Sequence, residues 1–227
     1  MTPEPRLEAA AHFVRAEVHA DIGSDHAALP ITLLRSDRVS RCIVVEKTPQ
    51  PLAVARRAIG RAGLLERAEL RLGDGFAPIV VGEAHSASIT GMGQRTMLGI
   101  LERGAERLPP ALILQPNDGA ELLRAWGPTQ GYWLTGEALT TGFWRYAVLH
   151  LERKTGNDPA YLGVPGAAAR RYGPHLLRAA HPLLLAELQA DLSRLEPLER
   201  FGRAEVLEGV RALREALAWL DGRQVGR

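Results

Sequence analysis

From residue 18 to about 152 the chain alternates short apolar runs with longer stretches of helical period, and no other feature constrains its fold as much. The runs VHADI (18–22), RCIVVE (41–46), AELRLG (68–73), SASIT (86–90), ALILQ (111–115), YWLTGEAL (132–139) and WRYAVLHLE (144–152) read as seven strands. Helical candidates lie near 26–36, 49–62, 94–107 and 118–126, so the first five strands can run parallel through right-handed crossovers. Only TTG and its neighbours separate the last two runs. That gap is too short for a helix and predicts an antiparallel hairpin at one sheet edge.

Beyond the hairpin the pattern changes. KTGNDPAYLGVPG (154–166) has three glycines, two prolines and no sustained period, which predicts a linker. It divides a sheet domain, 1–153, from a helical domain, 167–227. Leu184, Leu188, Leu192 and Leu195 draw one apolar stripe, and Val206, Val210, Leu213, Leu217 and Leu220 draw a second. Two helices packed antiparallel would bury both. Trp126, Trp133, Trp144 and Trp219 fall in or beside these elements and are expected to pack rather than to stack on bases.

Composition excludes several classes. The one cysteine, Cys42, rules out an internal disulfide framework and a multi-cysteine metal site. No apolar stretch approaches the length of a membrane span and the start lacks a signal-peptide pattern, so a cytoplasmic location is expected. Lys47 and Lys154 are the only lysines among 28 basic residues. Arginine forks phosphates and stacks on bases, so the bias is compatible with RNA contact, as it is with a coding bias. Residues 151–227 carry 12 basic and 10 acidic side chains against 16 of each before them, which puts the small positive excess in the tail.

In an open parallel sheet a ligand sits beyond the carboxyl ends of the strands. Those ends read Asp21-Ile22-Gly23-Ser24-Asp25-His26, then Glu46, Gly73-Asp74-Gly75, Gly91-Met92-Gly93 and Gln115-Pro116-Asn117. Turns favour such residues for backbone reasons, but here all five tips carry them. Glu46 lies 23 residues after Gly23, the spacing at which an acid receives the two ribose hydroxyls of a nucleoside. The first turn has a single glycine, so the G-x-G-x-x-G fingerprint is missing, and Asp21 and Asp25 would repel a pyrophosphate. A cationic nucleoside fits better: an ammonium for Asp21, a diol for Glu46 and an adenine amino group for Asp74. His26 beside one aspartate is short of the three or four ligands of a metal site, so no metal is expected.

RLEAAAHFV, ADIGSDHAALP, RLGDGF, ITGMG and LILQPN, in that order and followed by a helical tail, closely resemble the bacterial tRNA (adenine-22) N1-methyltransferase family over residues 6 to about 200. The resemblance implies a class I methyltransferase fold: a Rossmann-like, seven-stranded, mostly parallel sheet with an antiparallel C-terminal hairpin, plus a C-terminal α-helical hairpin that helps grip tRNA. It implies that Asp21, Gly23, Ser24, His26, Glu46, Asp74, Gly75, Gly91 and Met92 surround S-adenosylmethionine. Gln115, Pro116 and Asn117 then stand beside the transferable methyl group. Ala28 replaces a usual aromatic residue, Gln94 replaces a usual glycine, and the tail is shorter than usual.

Adenine N1 is a neutral nucleophile, so no strong base is needed before methyl transfer, and orientation can supply roughly 7–11 kcal/mol. Asn117 is the first candidate to hold N6 as positive charge develops on the base, and Asp25 the second; a helix N-cap is the alternative role for Asn117. Arg95, Arg170, Arg171 and Arg178 are candidates for tRNA phosphates. The expected partner is tRNA, bound by a monomer or weak homodimer. The alternatives are a small-molecule methyltransferase, which has no need of the helical tail, and an inactive cofactor- or RNA-binding protein.

Overall fold

A computed structural model of the chain describes residues 4–24, 26–142 and 145–224, the last two by their backbone only. Asp25 and Trp144 lie outside the described residues. The strands are β1 (Ala16–Ile22), β2 (Val39–Glu46), β3 (Ala68–Leu72), β4 (Ser86–Met92), β5 (Ala111–Pro116), β6 (Tyr132–Thr141) and β7 (Arg145–Arg153). They form one sheet in the order β3-β2-β1-β4-β5-β7-β6. The first five pair in parallel; β7 pairs antiparallel with both β5 and β6. The strand order reverses between β1 and β4, which marks the switch point where a ligand crevice forms.

The helices are α1 (Pro5–Phe13), α2 (Ala28–Arg35), α3 (Pro49–Arg61), α4 (Gln94–Arg103), α5 (Glu121–Thr129), α6 (Gly166–Tyr172), α7 (Pro174–Arg178), α8 (Pro182–Leu195) and α9 (Ala204–Gln224). Alternation along the buried strands gives each sheet face its own core. Ala20, Ile22, Ile43, Val45, Ala87, Ile89, Leu112 and Leu114 face Met97 and Leu101 of α4 and Leu123 and Trp126 of α5. Cys42, Val44 and Ile113 face Ala10 and Ala11 of α1, Leu33 of α2 and Ile59 of α3. Sequence reasoning missed α1, whose short Ala-rich turn shows little amphipathic contrast. Trp126 stacks on Tyr132 at 5.6 Å, whereas Trp133 and Trp219 are half-buried and donate to the carbonyls of Gly156 and Gly163.

A third core holds the tail: Leu184 and Leu188 of α8 meet Leu213, Ala216 and Leu220 of α9, Tyr172 of α6, Leu177 of α7 and Leu139 of β6. The stretch 154–166, expected as a linker, is pinned to the sheet. Asp158 is buried and accepts from Leu134 N at 2.7 Å and Ala160 N at 2.8 Å, and Ala160 enters the first core. Aperiodic sequence left this stretch looking free, although one side chain, Asp158, ties its backbone to that of β6.

Candidate cofactor and nucleic-acid site

Register brings the predicted tips together. Ile22 lies opposite Val45, and Glu46 opposite Leu72. The turns are fastened to the neighbouring strand, because Gly23 N donates to Val45 O and Gly73 N to Glu46 O, each at 2.9 Å. Gly23 has φ +73°, and a Cβ there would lie 2.2 Å from Met92 Cε. The left-handed backbone conformation therefore favours glycine here, and any Cβ would also have to displace the tip of the Met92 side chain. Gly91 likewise has φ +77°, and a Cβ would meet Arg6 Nη1 at 3.2 Å.

Asp21 ends β1 with 2% of its surface exposed, and Ser88 of β4 donates to its Oδ1. Burial pushes the Asp21 carboxyl above its ordinary range, against the opposing pull of the Ser88 hydroxyl. Among the described residues no cationic side chain forms an ion pair with it, and Ser24 Oγ is buried without a hydrogen-bond partner. Glu46 is 6% exposed at the end of β2, while His26 is exposed at the turn before α2. Asp74 differs: its side chain is 42% exposed, 3.1 Å from Lys47 and 3.6 Å from Arg103. The Lys47 hydrogen bond, followed by the charges of Lys47 and Arg103, holds its carboxyl below the usual range. A buried unpaired carboxylate, an orphaned hydroxyl and side-chain-free turns suit a ligand that brings positive charge and hydrogen-bonding groups, as S-adenosylmethionine does. Among the described residues no group of three or more His, Cys, Asp or Glu could hold a metal.

On the other side of the switch point Gln115 is fully buried. Its Oε1 accepts from Arg6 Nη1 at 2.8 Å and Gly91 N at 3.2 Å, and its Nε2 donates to Pro116 O at 2.7 Å. Arg6, carried in by α1, was not singled out from the sequence, although it opens the RLEAAAHFV motif. Asn117 is exposed, and its Nδ2 donates to Gly91 O at 2.6 Å. It does not cap α5, whose N-cap is Ala120; the neighbouring Asp118 instead accepts from Gln94 N at 2.7 Å, at the start of α4. Gln94 Oε1 in turn accepts from Leu122 N at 3.0 Å. The Gln94 side chain thus ties the start of α4 to the start of α5. Ala28 opens α2 and is half-buried.

The four arginines proposed for RNA do not behave alike. Arg95 and Arg170 are exposed. Arg171 is 3.3 Å from Asp191 and 3.6 Å from Glu121. Arg178 donates to the carbonyls of Ala160 at 3.0 Å and Leu162 at 2.5 Å. These two are engaged within the chain, a distinction that sequence cannot draw between one surface arginine and another. A cavity of about 650 Å³ opens beside Asn117, between the sheet and the tail, and is lined also by Arg145, Arg171, Glu187 and Arg194.

This strand order, with acids and glycines gathered at the switch point, defines a class I methyltransferase. The family model for TrmK, tRNA (adenine(22)-N(1))-methyltransferase, matches residues 19–218. The Bacillus subtilis tRNA (adenine(22)-N(1))-methyltransferase is 34% identical over 197 residues, 85% of this chain and 82% of that protein. A crystal structure of the B. subtilis enzyme superposes with a TM-score of 0.83 at 30% identity, covering 98% of this chain and 99% of that one. A Streptococcus pneumoniae structure in complex with S-adenosyl-L-methionine has a TM-score of 0.80 at 28% identity, covering 95% and 98%. The chain belongs to the tRNA (adenine(22)-N(1))-methyltransferase family.

Proposed function

We propose that this protein transfers a methyl group from S-adenosylmethionine to N1 of adenine 22 in tRNA. The observation that carries the reading is the buried Asp21 carboxylate at the switch point, without an ion-pair partner among the described residues and flanked by Glu46 and the glycine turns. When bound, S-adenosylmethionine supplies an activated methyl group on a sulfonium. Asp21, Gly23, Ser24 and Glu46 would hold it, with Asp74, Gly75, Gly91 and Met92 at the rim and His26 beside them; Gln115 and Pro116 set the far wall.

The adenine must leave its stack, at a cost of a few kcal/mol. Asn117 has its amide nitrogen engaged on Gly91 O, and its Oδ1, 3.5 Å from the donor Gln115 Nε2, keeps a lone pair to accept from N6–H. A carbonyl dipole there favours the cation that forms as N1 is methylated. Arg95 and Arg170, with Arg145 along the cavity, would meet phosphates; Arg171 and Arg194, both paired with Asp191, and Arg178 support the tail. We place the boundary between sheet and tail in 154–166. The tail's stripes are covered by the chain's own helices, which supports a monomer or at most a weak homodimer. No helix among the described residues is long and apolar enough to cross a membrane, and a tRNA substrate supports a cytoplasmic location.

The test is incubation with radiolabelled methyl donor and unmodified tRNA, followed by mapping of the label. Label on N1 of adenine 22 supports the reading; label elsewhere, or none despite donor binding, rejects it.

A further inference from the structure

The sheet face covered by α1, α2 and α3 carries a buried polar stripe where β1 adjoins β4. His19 and Asp21 alternate along β1, Ser86 and Ser88 alternate along β4, and the strands are in register with His19 opposite Ser86 and Asp21 opposite Ser88. All four are buried, His19 and Ser88 completely. His19 Nδ1 lies 2.7 Å from Ser86 Oγ, and Nε2 lies 2.8 Å from Ser88 Oγ.

The hydrogens can be placed by elimination. With Asp21 ionised, Ser88 gives its one hydroxyl hydrogen to Asp21 Oδ1, so its oxygen accepts from His19 Nε2–H. Nδ1 then bears the lone pair and accepts from the Ser86 hydroxyl. The ring is neutral, because full burial pushes its pKa down to about 3. Ser86, His19, Ser88 and Asp21 thus form one directed chain with every hydrogen pointing toward the carboxylate. Chains of this kind strengthen each member.

We infer that Ser88 and His19 are positioning residues for the cofactor: they fix the Asp21 carboxylate in one orientation at the end of β1 as the anchor for the ligand's positive charge. This inference rests on the reading that Asp21 contacts the cofactor. A neutral histidine suits the task, since it supplies a donor to the relay without cancelling the negative charge that the ligand is to meet.

Titration calorimetry of the full chain with S-adenosylhomocysteine, a chemically stable probe, separates the possibilities. Asp21→Asn and Ser88→Ala each weaken binding about tenfold or more, whereas Ser88→Thr, which keeps the hydroxyl, stays within about twofold of the parent. His19→Gln, whose amide can still donate, loses less than His19→Leu. Ring-nitrogen NMR of the ligand-free protein shows the Nε2–H tautomer at His19. Binding at parental strength by folded Ser88→Ala, with Asp21→Asn impaired, overturns the relay and leaves the cofactor reading standing. Parental binding by Asp21→Asn removes the cofactor reading itself. An Nδ1–H tautomer reverses the chain and overturns the inference.

Discussion

Asp21 at the strand tips and Glu137 in the seam between sheet and tail are both buried carboxylates, and the chain treats them in opposite ways. Glu137 Oε1 lies 2.7 Å from Arg124 Nε, and its Oε2 accepts from His175 N at 3.1 Å. Arg124 also donates to the carbonyls of Arg170 at 3.0 Å and Arg171 at 2.7 Å. Gly173, with φ +90°, leaves no room for a Cβ, which would lie 2.6 Å from the Glu137 carboxylate. Charge and hydrogen bonds are closed inside the protein, and α5, β6 and the α6–α7 corner are held together. Asp21 has the Ser88 hydroxyl and no ion-pair partner among the described residues. A carboxylate that completes its own pairing serves the architecture. Asp21, buried and without an ion-pair partner among the described residues, is the carboxylate that the proposed ligand would complete.

The comparison is broken most directly at the seam. Arg124→Ala leaves Glu137 buried and uncompensated, so chemical denaturation should show a loss of about 3–5 kcal/mol. A loss well under that would mean water or rearrangement replaces the arginine, and the seam would no longer be a closed site. At the tips the corresponding variant should spare the fold. Glu46→Ala should weaken S-adenosylmethionine binding about tenfold or more, a few hydrogen bonds of roughly 1.5–3 kcal/mol each, with little change in melting temperature. Unchanged affinity would remove Glu46 from the site.

Acid sharpens the contrast through His19. Its folded pKa is lowered to about 3, so between there and its ordinary value near 6.5 the unfolded chain binds more protons than the folded one. Stability should therefore fall as pH drops through that window, by at most about 1.4 kcal/mol per pH unit. His19→Gln should flatten the limb; the same slope in both proteins would show that the ring is not buried neutral. Asp21 has the opposite sign. Its folded pKa is raised, so ionisation opposes folding as pH climbs above the ordinary carboxylate value. Asp21→Asn should accordingly match or exceed the parent in stability at neutral pH while losing cofactor, and marked destabilisation would place Asp21 with Glu137 as architecture. The smallest effect is expected at the surface. Arg95→Ala and Arg170→Ala should each reduce the salt slope of tRNA binding by about 0.7–0.9 if each meets one phosphate.

The seven strands were legible because central parallel strands are short apolar runs between turn residues, and β3 and β5 begin where the pattern places them. The glycines at 23 and 91 were legible for the same backbone reason. Arg6, His19 and Ser88 were not. Arg6 belongs to a helix of weak periodicity whose target, Gln115, is 109 residues away. His19 and Ser88 sit inside VHADI and SASIT, where an isolated polar residue reads as tolerated in a strand. Their significance depends on two strands that adjoin across 67 residues of sequence. Arg171 and Arg178 show the converse: the sequence marks them as cations, and only the fold reveals that carboxylates and carbonyls already occupy them.

Local chemistry alone thus settled that seven strands alternate with helices, and which tips carry acids and glycines, because backbone conformation and hydrophobic period act over a few residues. The tertiary structure decided which of the buried charges are matched from within and which are left open. Matching is a property of neighbours in space: register set Ser88 against Asp21, and packing set Arg124 against Glu137.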